Sequence, residues 1–364
     1  MTITSPMATV APIAAPGGGG FDLQTVDPLS VAGWDAMIAA HPEATFFHGA
    51  AWAKTLANAY GFNCRYIAML ERGRLCALLP IMEACSWLRG KRGVSLPFTD
   101  ECPALVAENG MAEPLFDFAM QQGKLRGWKY LELRGGQELL PGVPESVSFC
   151  THVLRLGSSA AELFETFDSS VRRAIRKAER SGVTVECRTD LDAVRAYYRL
   201  HCRTRTKHGA PPQPFGFFRS LWESALQKGH GFIALAMHRQ RAVAGAVFLQ
   251  LGRKAIYKFS ASDERCQELR GPNLVIWQAV KKLVDEGAIE LNFGKTSLSN
   301  EGLRRFKRYW NADERIVRYT RYCFESQKFV KMADLAAGTQ ARVFALLPVF
   351  LSRWIGRAVY AHMS

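Results

Sequence analysis

The chain contains 364 residues, of which 48% are hydrophobic, and 47 basic against 33 acidic residues give it a formal net charge of +14. A single hydrophobic core rarely serves more than about 300 residues, so the length predicts two domains. The charge favours anionic partners such as phosphorylated compounds, tRNA or acidic lipid, while the nine scattered cysteines lack the spacing of zinc fingers. We therefore expect a reduced, cytoplasmic protein that does not bind DNA.

The two ends of the chain differ in composition from the rest. Residues 1–20 are rich in Ala, Pro, Thr and Gly and end in four glycines, which predicts a disordered leader rather than a signal peptide. Residues 336–364 predict an apolar helical tail that carries Arg353 and Arg357. This tail either packs on the body of the protein or lies at the inner face of the cytoplasmic membrane. No apolar run reaches the roughly 20 residues needed to span a bilayer.

The first half of the chain alternates between helical and extended patterns. The predicted elements are helices over 28–40 and 48–60, strands over 64–71 and 74–83 joined by a turn at Arg72 and Gly73, a helix over 111–122 and a strand over 130–134. The basic stretch 89–93 is expected to be a link before a short extended segment at 94–98. Asp100 and Glu101 follow this segment.

The second half repeats this order of elements. The predicted strands are 152–156, 231–238, 243–251, 254–260 and 289–293, and the predicted helices are 160–167, 170–180, 192–206, 215–228 and 272–286. The repetition predicts an α/β (α+β) fold of two tandem units, over 21–150 and 151–335, with mixed, mostly antiparallel sheets flanked by helices.

The most informative segment runs from Leu291 to Trp310. A half-buried strand ends there at Gly294, which permits a backbone kink, and a short helix with four cations follows. Leu303, Phe306 and Trp310 recur at spacings of three and four, so one side of the helix is expected to be anchored. The cations would then project around a cleft.

This segment resembles the C-terminal motif of the FemABX-like peptidyltransferases, a family built from two GNAT-type acyltransferase domains. The matching residues are Asn292, Phe293 and Gly294, followed by Gly-Leu-Arg-Arg-Phe-Lys at 302–307. The likeness is strongest to a proteobacterial subgroup associated with exopolysaccharide and envelope genes. It implies that both predicted units are GNAT-like, that the reaction is acyl transfer, and that the acyl donor is an aminoacyl-tRNA or an acyl-coenzyme A.

The resemblance also implies catalytic residues. Lys307 corresponds to a lysine that stabilises negative charge on the reacting carbonyl or leaving oxygen. Asp100 is the candidate base, with Glu101 as the fallback, because an acceptor amine must lose a proton. His208, in a segment similar to the Thr-Arg-x-x-His-Gly motif of the subgroup, is a further acid–base candidate. No metal is required.

Basic and aromatic residues are the candidates for substrate binding. Helix 170–180 carries a cationic row that phosphate groups would satisfy. The residues expected to bind substrate are Arg172, Arg176, Arg203, Arg205, Tyr257, Lys258, Asn292, Arg305 and Phe306. Residues 267–273 form either a coenzyme A loop or an ordinary helix start with Pro272 in the first turn.

These observations predict an acyltransferase or aminoacyltransferase that modifies an amine or hydroxyl of an envelope or exopolysaccharide precursor. The expected partners are a phosphorylated or lipid-linked glycan precursor, with tRNA as a candidate donor carrier. Two alternatives stay open at this point. One is an acetyl-coenzyme A-dependent polysaccharide acetyltransferase, and the other is a non-catalytic scaffold at the membrane.

Overall fold

The computed structural model describes residues 13, 20–87, 89–157, 159–334 and 360–362. Most of the predicted leader and of the predicted tail lies outside these residues, so both remain predictions. Among the described residues, no helix is long and apolar enough to cross a bilayer.

The elements of the first half begin with an edge strand that the sequence patterns did not predict. The strands are β1 (Asp22–Val26), β2 (Asn63–Cys64), β3 (Tyr66–Glu71), β4 (Arg74–Leu79), β5 (Met82–Ser86), β6 (Gly90–Val94), β7 (Leu105–Val106) and β8 (Tyr130–Arg134). The helices are α1 (Trp34–Ala39), α2 (Ala50–Tyr60) and α3 (Ala112–Arg126).

The second half contains longer strands and more helices. Its strands are β9 (Val147–Arg155), β10 (Thr184–Arg188), β11 (Gly231–His238), β12 (Arg241–Leu251), β13 (Lys254–Ser262), β14 (Glu290–Asn292), β15 (Thr296–Ser297), β16 (Asp313–Cys323) and β17 (Lys328–Phe329). Its helices are α4 (Ala160–Thr166), α5 (Ser169–Arg180), α6 (Leu191–Lys207), α7 (Phe215–Ser224), α8 (Gly271–Asp285) and α9 (Glu301–Arg308).

One sheet runs through both halves in the order β10-β11-β12-β13-β14-β9-β16-β8-β6-β5-β2. Strand β16, near the end of the described chain, pairs with β9 of the second half and with β8 of the first. A smaller sheet has the order β1-β3-β4-β7. The predicted α/β fold with mixed, mostly antiparallel sheets is confirmed. The domain limit at residue 150 stays a prediction, and it falls inside β9.

The parallel pair β13 and β14 shapes the centre of this sheet. These strands are joined through α8, and their paired residues run only from Lys254 to Ile256 on β13. Beyond Ile256, β13 continues to Ser262 while the chain after β14 turns away at Gly294. The two strands therefore separate toward their carboxyl ends, and a gap opens in the sheet there.

Several predicted elements differ from the structure. The basic stretch 89–93 is mostly strand β6, because its backbone pairs with both β5 and β8 and the Arg92 side chain is buried. The helix predicted from residue 48 begins only at Ala50, after a 3-10 turn over Phe46–His48. Strands β10 and β16 were not predicted, because their charged residues hide the alternating pattern.

The two halves share a hydrophobic core. Helix α2 of the first half packs on α7 of the second, and Trp52 meets Phe217 edge to face at 5.9 Å between ring centroids. Both side chains are fully buried. Because these helices and the common sheet connect the halves, residues contributed from either side hold fixed positions in the site described next.

Candidate functional site

The kink that ends β14 lies at the centre of the site. Gly294 has φ +71° and its N–H donates to Oδ1 of Asn292 at 2.7 Å. The Thr151 hydroxyl donates to the same oxygen at 2.7 Å, so Asn292 holds the turn rather than facing a substrate. A Cβ at position 294 would lie 3.2 Å from Oδ2 of Asp100. Glycine is therefore favoured here both by the backbone conformation and by the close carboxylate.

The Asp100 carboxylate lies among three lysines. Nζ of Lys258 donates to Oδ2 of Asp100 at 2.9 Å, and the two side chains are only 6% and 17% exposed. Burial raises the pKa of Asp100, but Lys258, Lys295 and Lys307 outweigh this effect and hold the pKa below its usual value. The carboxylate is thus ionised and positions the cations around it.

Contacts from both halves fix the loop that carries Asp100. Leu96 and Phe98 in this loop have φ of +58° and +61°, a conformation that non-glycine residues seldom adopt. The Tyr319 hydroxyl, on β16, donates to the Asp100 carbonyl at 2.6 Å. The Arg134 guanidinium, on β8, donates to the Leu96 carbonyl at 3.3 Å. The strained loop is therefore held in place by its neighbours.

Lys295, which the sequence analysis did not select, lies beside this loop. Its Nζ is 4.1 Å from the ring centroid of Phe149 and 4.8 Å from that of Tyr319. Within the described part of the chain, no carboxylate lies within ion-pair distance of this ammonium. Burial, and secondly Arg134, lower the pKa of Lys295 to about 8. A buried cation that rests on aromatic rings remains available to an incoming anion.

Lys307 lies on α9 and is only 3% exposed. Its Nζ donates to the Gly294 carbonyl at 2.7 Å, which connects it to the kink. Burial lowers the pKa of Lys307 to about 8, although Asp100 acts in the opposite direction. By contrast, Leu303 is 39% exposed, so the expectation that it anchors the helix is wrong. Lys307 itself occupies the buried face, together with Trp310.

A cavity of about 420 Å³, called the central pocket here, is lined by Lys258 and Lys295 but not by Lys307. Its charged lining residues are Asp100, Arg134, Arg205, Lys258 and Lys295. The buried Glu132 carboxylate accepts hydrogen bonds from both Arg134 and Arg321, so one negative charge is shared between two guanidinium groups. The central pocket therefore carries an excess of positive charge and suits an anionic ligand.

Two further residues complete the wall of the central pocket. Tyr360 accepts a hydrogen bond from the Arg205 guanidinium at 3.0 Å and donates to the Pro211 carbonyl at 3.1 Å. His201 also lines the pocket, and burial lowers its pKa to about 3, so this imidazole is neutral. Arg205 thus lines the central pocket, and its predicted role in substrate binding stays a prediction.

A second cavity of about 690 Å³, called the outer cleft here, lies near the carboxyl end of β13 and the start of α8. Helix α5 and α9 form its other walls. The cations that line it are Arg173, Lys177 and Arg270, and Phe306 contributes an apolar surface. Residues of the predicted 267–273 loop, including Pro272, also line it.

The α5 side chains that face the outer cleft are not the ones that the sequence predicted. Arg172 pairs with Glu165, and the Arg176 guanidinium lies 5.5 Å from the ring centroid of Phe164. These contacts direct both arginines toward α4. The assignment of Arg172 and Arg176 to phosphate binding is thus not supported by their positions, because Arg173 and Lys177 line the cleft instead.

Four other predicted site residues, Arg203, Arg305, His208 and Tyr257, do not line the central pocket. Arg203 is paired with Asp263 at 3.0 Å, and Arg305 is exposed on α9. His208 is exposed at the end of α6 and is not among the residues lining the central pocket. Tyr257 packs edge to face on Phe293, and burial raises its pKa to about 12. Its hydroxyl therefore stays protonated at neutral pH.

Glu101 differs sharply from its neighbour Asp100. Burial raises the pKa of Glu101 to about 7, although Arg315 acts in the opposite direction. Both carboxylates line a small cavity that Asn292 also borders. A carboxyl that titrates near neutral pH is better matched to proton transfer than one held ionised by lysines.

Cys150, His152 and Glu314 form a group whose ligand atoms lie within 4.8 Å of one another. Glu314 already accepts from Arg304 at 3.0 and 2.6 Å and from His152 at 2.9 Å. Burial and then Lys307 lower the pKa of His152. Because the carboxylate is occupied by a guanidinium in cationic surroundings, this group is better explained as a structural network than as a metal centre.

Comparison with known proteins finds a domain match within the second half of the chain. Residues 166–308 match the model of a GNAT acetyltransferase domain. No functionally curated protein matches the chain.

Solved structures share the overall fold at low sequence identity. A crystal structure of FemX has a TM-score of 0.65 and 14% identity, covering 82% of this chain and 96% of that one. The C-terminal domain of a putative lysylphosphatidylglycerol synthetase from Agrobacterium fabrum has a TM-score of 0.52 and 14% identity, with coverage of 79% and 89%. A tandem GNAT protein from the clavulanic acid biosynthesis pathway has a TM-score of 0.52 and 9% identity, with coverage of 84% and 98%.

The likeness to these structures concerns the fold, and the domain match concerns the segment that carries α5, β13, α8 and α9. The expected Fem-like, GNAT-type fold is confirmed, whereas the exopolysaccharide-associated subgroup stays a prediction. Lys258, Lys295 and Lys307 lie on the matched segment, and both cavities lie on or beside it. The protein is an acyltransferase that contains a GNAT-type acetyltransferase domain within a Fem-like overall fold.

Proposed function

We propose that the protein transfers an acyl or aminoacyl group to an amine or hydroxyl of a phosphorylated glycan precursor of the cell envelope or an exopolysaccharide. The observation that carries this proposal is the central pocket, in which Arg134, Arg205, Lys258 and Lys295 face a single lining carboxylate, Asp100. Lys258 is paired with Asp100 and Arg134 with Glu132, so a neutral sugar would leave Arg205 and Lys295 without counter-ions among the described residues. A phosphate or diphosphate group on the acceptor would supply them.

Lys307 is the proposed stabiliser of the reacting carbonyl. In the reaction, the acceptor nitrogen or oxygen bonds to the acyl carbon, the bond from that carbon to the donor breaks, and the acceptor loses a proton. Negative charge develops on the carbonyl oxygen. The Lys307 ammonium, held by the Gly294 carbonyl at 2.7 Å in a buried position, supports this role because a preorganised cation is most effective in dry surroundings.

Asp100, Glu101 and His208 are the three candidates for the base. Asp100 is ion-paired with Lys258 and has a lowered pKa, which favours a role in holding the lysines. Glu101, with a pKa of about 7, is the better proton acceptor at neutral pH. The exposed position of His208 makes it the weakest of the proposed bases.

The outer cleft is the proposed donor site. Arg173, Lys177 and Arg270 there suit the phosphates of acyl-coenzyme A or of the acceptor end of an aminoacyl-tRNA. The match of residues 166–308 to an acetyltransferase domain favours one specific alternative, an acetyl-coenzyme A-dependent polysaccharide acetyltransferase. Direct binding of acetyl-coenzyme A separates the two donors, since an aminoacyl-tRNA user should not bind it saturably.

The test compares glycans and lipid-linked precursors by mass spectrometry in cells with the wild-type protein, without it, and with Lys307→Met. We expect an acylated or aminoacylated species that is present only with the wild type. Arg308→Met is the matched control, because Arg308 is the exposed cation next to Lys307. The proposal is wrong if no acylated species depends on the protein, or if Lys307→Met restores the product fully.

We also propose that the enzyme works in the cytoplasm, next to the inner face of the membrane where lipid-linked precursors are found. The positive charge of the chain supports attraction to that surface.

A further inference from the structure

The two most exposed large hydrophobic side chains among the described residues are Trp87 and Leu125, at 86% and 81% exposure. The next in rank, Phe21, reaches only 48%. Trp87 lies in the turn between β5 and β6, and Leu125 lies in the last turn of α3. Single exposed hydrophobic residues are common on protein surfaces, but two this prominent call for a physical reason.

Both residues lie at the same end of the first half. Strands β6 and β8 are parallel, with Gly93 beside Leu131, so both strands start at the same end of the sheet. Helix α3 ends immediately before β8. The Lys129 N–H donates to the Lys91 carbonyl at 2.8 Å, which ties the chain after α3 to the start of β6.

Cations surround these two residues. Arg89, Lys91, Lys124 and Lys129 are all exposed at this end. The nearby acid Glu83 is buried and accepts from Arg126 at 2.9 Å, so it does not neutralise them. The turn after β16 reaches the same edge and adds Glu325 and Lys328, which offset each other. We call Trp87, Arg89, Lys91, Lys124, Leu125 and Lys129 the basic edge.

We propose that the basic edge docks the enzyme on an anionic lipid bilayer. Trp87 and Leu125 would enter the interface between headgroups and acyl chains, and the four cations would contact lipid phosphates. An RNA partner fits less well, because Leu125 offers no flat ring on which a base could stack. This proposal does not depend on the proposed acyl transfer, since the basic edge contains no residue of the central pocket or the outer cleft.

The basic edge is connected to the central pocket through the C-terminal residues. Nδ1 of His362 lies 2.8 Å from the Ser86 hydroxyl, and its ring lies 5.8 Å from that of Trp87. Tyr360, two residues earlier, lines the central pocket. Docking at the basic edge would therefore hold one wall of the pocket near the lipid surface, where a lipid-linked acceptor is presented.

The test is cosedimentation of the full chain with phosphatidylglycerol-containing vesicles and with pure phosphatidylcholine vesicles. We expect binding to the anionic vesicles only, and weaker binding as salt rises. The double variant Trp87→Ala/Leu125→Ala should lower the affinity by about 10-fold or more, since two buried apolar side chains are lost. Arg89→Glu/Lys91→Glu should lower it by at least about 20-fold, at roughly 5-fold per cation.

Phe21→Ala is the matched control, because Phe21 is exposed but lies outside the basic edge, and it should bind like the wild type. Thermal melting of each variant checks that the exposed substitutions leave the fold intact. The proposal is overturned if the wild type ignores anionic vesicles, or if the Trp87 and Leu125 variant binds them normally. It is also overturned if the basic edge binds tRNA but no vesicles.

Discussion

The central pocket and the outer cleft both carry positive charge, but they hold it differently. In the central pocket, lysines are buried between the two halves, and burial lowers the pKa of Lys295 to about 8. The pKa of Lys307, which lies near Asp100, is also lowered to about 8. In the outer cleft, Arg173 and Lys177 project from one exposed helix face. The contrast suggests that the buried lysines serve chemistry and orientation, whereas the open cations serve binding alone.

The largest expected effect is that of Lys307→Met on acyl transfer. Loss of the buried ammonium should reduce kcat by about 10²–10³-fold, the range seen when a preorganised donor to an oxyanion is removed. KM for either substrate should change little. Steady-state kinetics of the purified variant against Arg308→Met gives the measurement. A comparable loss in both variants would point to general electrostatics instead of a specific role.

Glu101→Gln should reduce the rate by about 10²-fold or more if Glu101 is the base. Because the pKa of Glu101 is about 7, the wild-type rate should rise with pH through that value, and the variant should lose this rise. Asp100→Asn should instead disturb the Lys258 position without removing the pH dependence. A pH profile that is unchanged in Glu101→Gln would exclude Glu101 as the base.

The same group makes a prediction about stability. The folded state binds the Glu101 proton more tightly than the unfolded chain, in which this carboxyl has its ordinary pKa of 4.5. The free energy of unfolding should therefore fall as pH rises from about 4.5 to 7, and this loss should be absent in Glu101→Gln. Urea unfolding at several pH values measures it. Equal slopes in the two proteins would contradict the raised pKa.

Lys295→Met should weaken the binding of inorganic pyrophosphate to the enzyme by about 10-fold, the value of one charge-assisted contact. Lys295→Arg should retain most of the affinity, because the cation can stay over the aromatic rings. Wild-type binding should also weaken as pH rises through about 8, where Lys295 loses its proton. Calorimetric titration is the measurement, and a pH-independent affinity would argue against this lysine as the anion ligand.

The smallest effect is expected in the outer cleft. Arg173→Ala/Lys177→Ala should raise KM for the acyl donor by several-fold with little change in kcat, because exposed cations contribute modestly. The matched control is Arg172→Ala/Arg176→Ala, whose side chains face α4. Equal effects of the two pairs on KM would mean that the helix phase does not select the donor ligands.

The sequence patterns revealed the parts of the site that depend on local order. A strand, a turn at Gly294 and a helix were predictable from the local pattern, and Asn292 and Lys307 were recognisable through the resemblance to the FemABX-like motif. Lys295, Arg134 and Tyr319 were not, since their roles depend on the insertion of β16 between β8 and β9. That pairing joins residues far apart in the chain, and no local periodicity encodes it.

The sequence patterns also could not show which side of a surface helix faces a cleft. Helix α5 has cations on most of its circumference, so periodicity alone cannot tell which of them meets a cleft. The burial of Lys307 in preference to Leu303 is a related case, because the Gly294 carbonyl and Asp100 provide partners for an ammonium that hydropathy would place in water. These tertiary contacts thus keep the charged Lys307 side chain buried at the position where the chemistry is proposed.

The position of β16 has a consequence for synthesis on the ribosome. The edges of β8 and β9 stay without their common neighbour until the segment 313–323 has been made. During this interval the nascent chain exposes strand edges that can pair with other chains, so chaperone protection is most needed then. The Asp100 loop also lacks its Tyr319 contact until that moment, so the reactive lysines are assembled only once the long strand has joined the sheet.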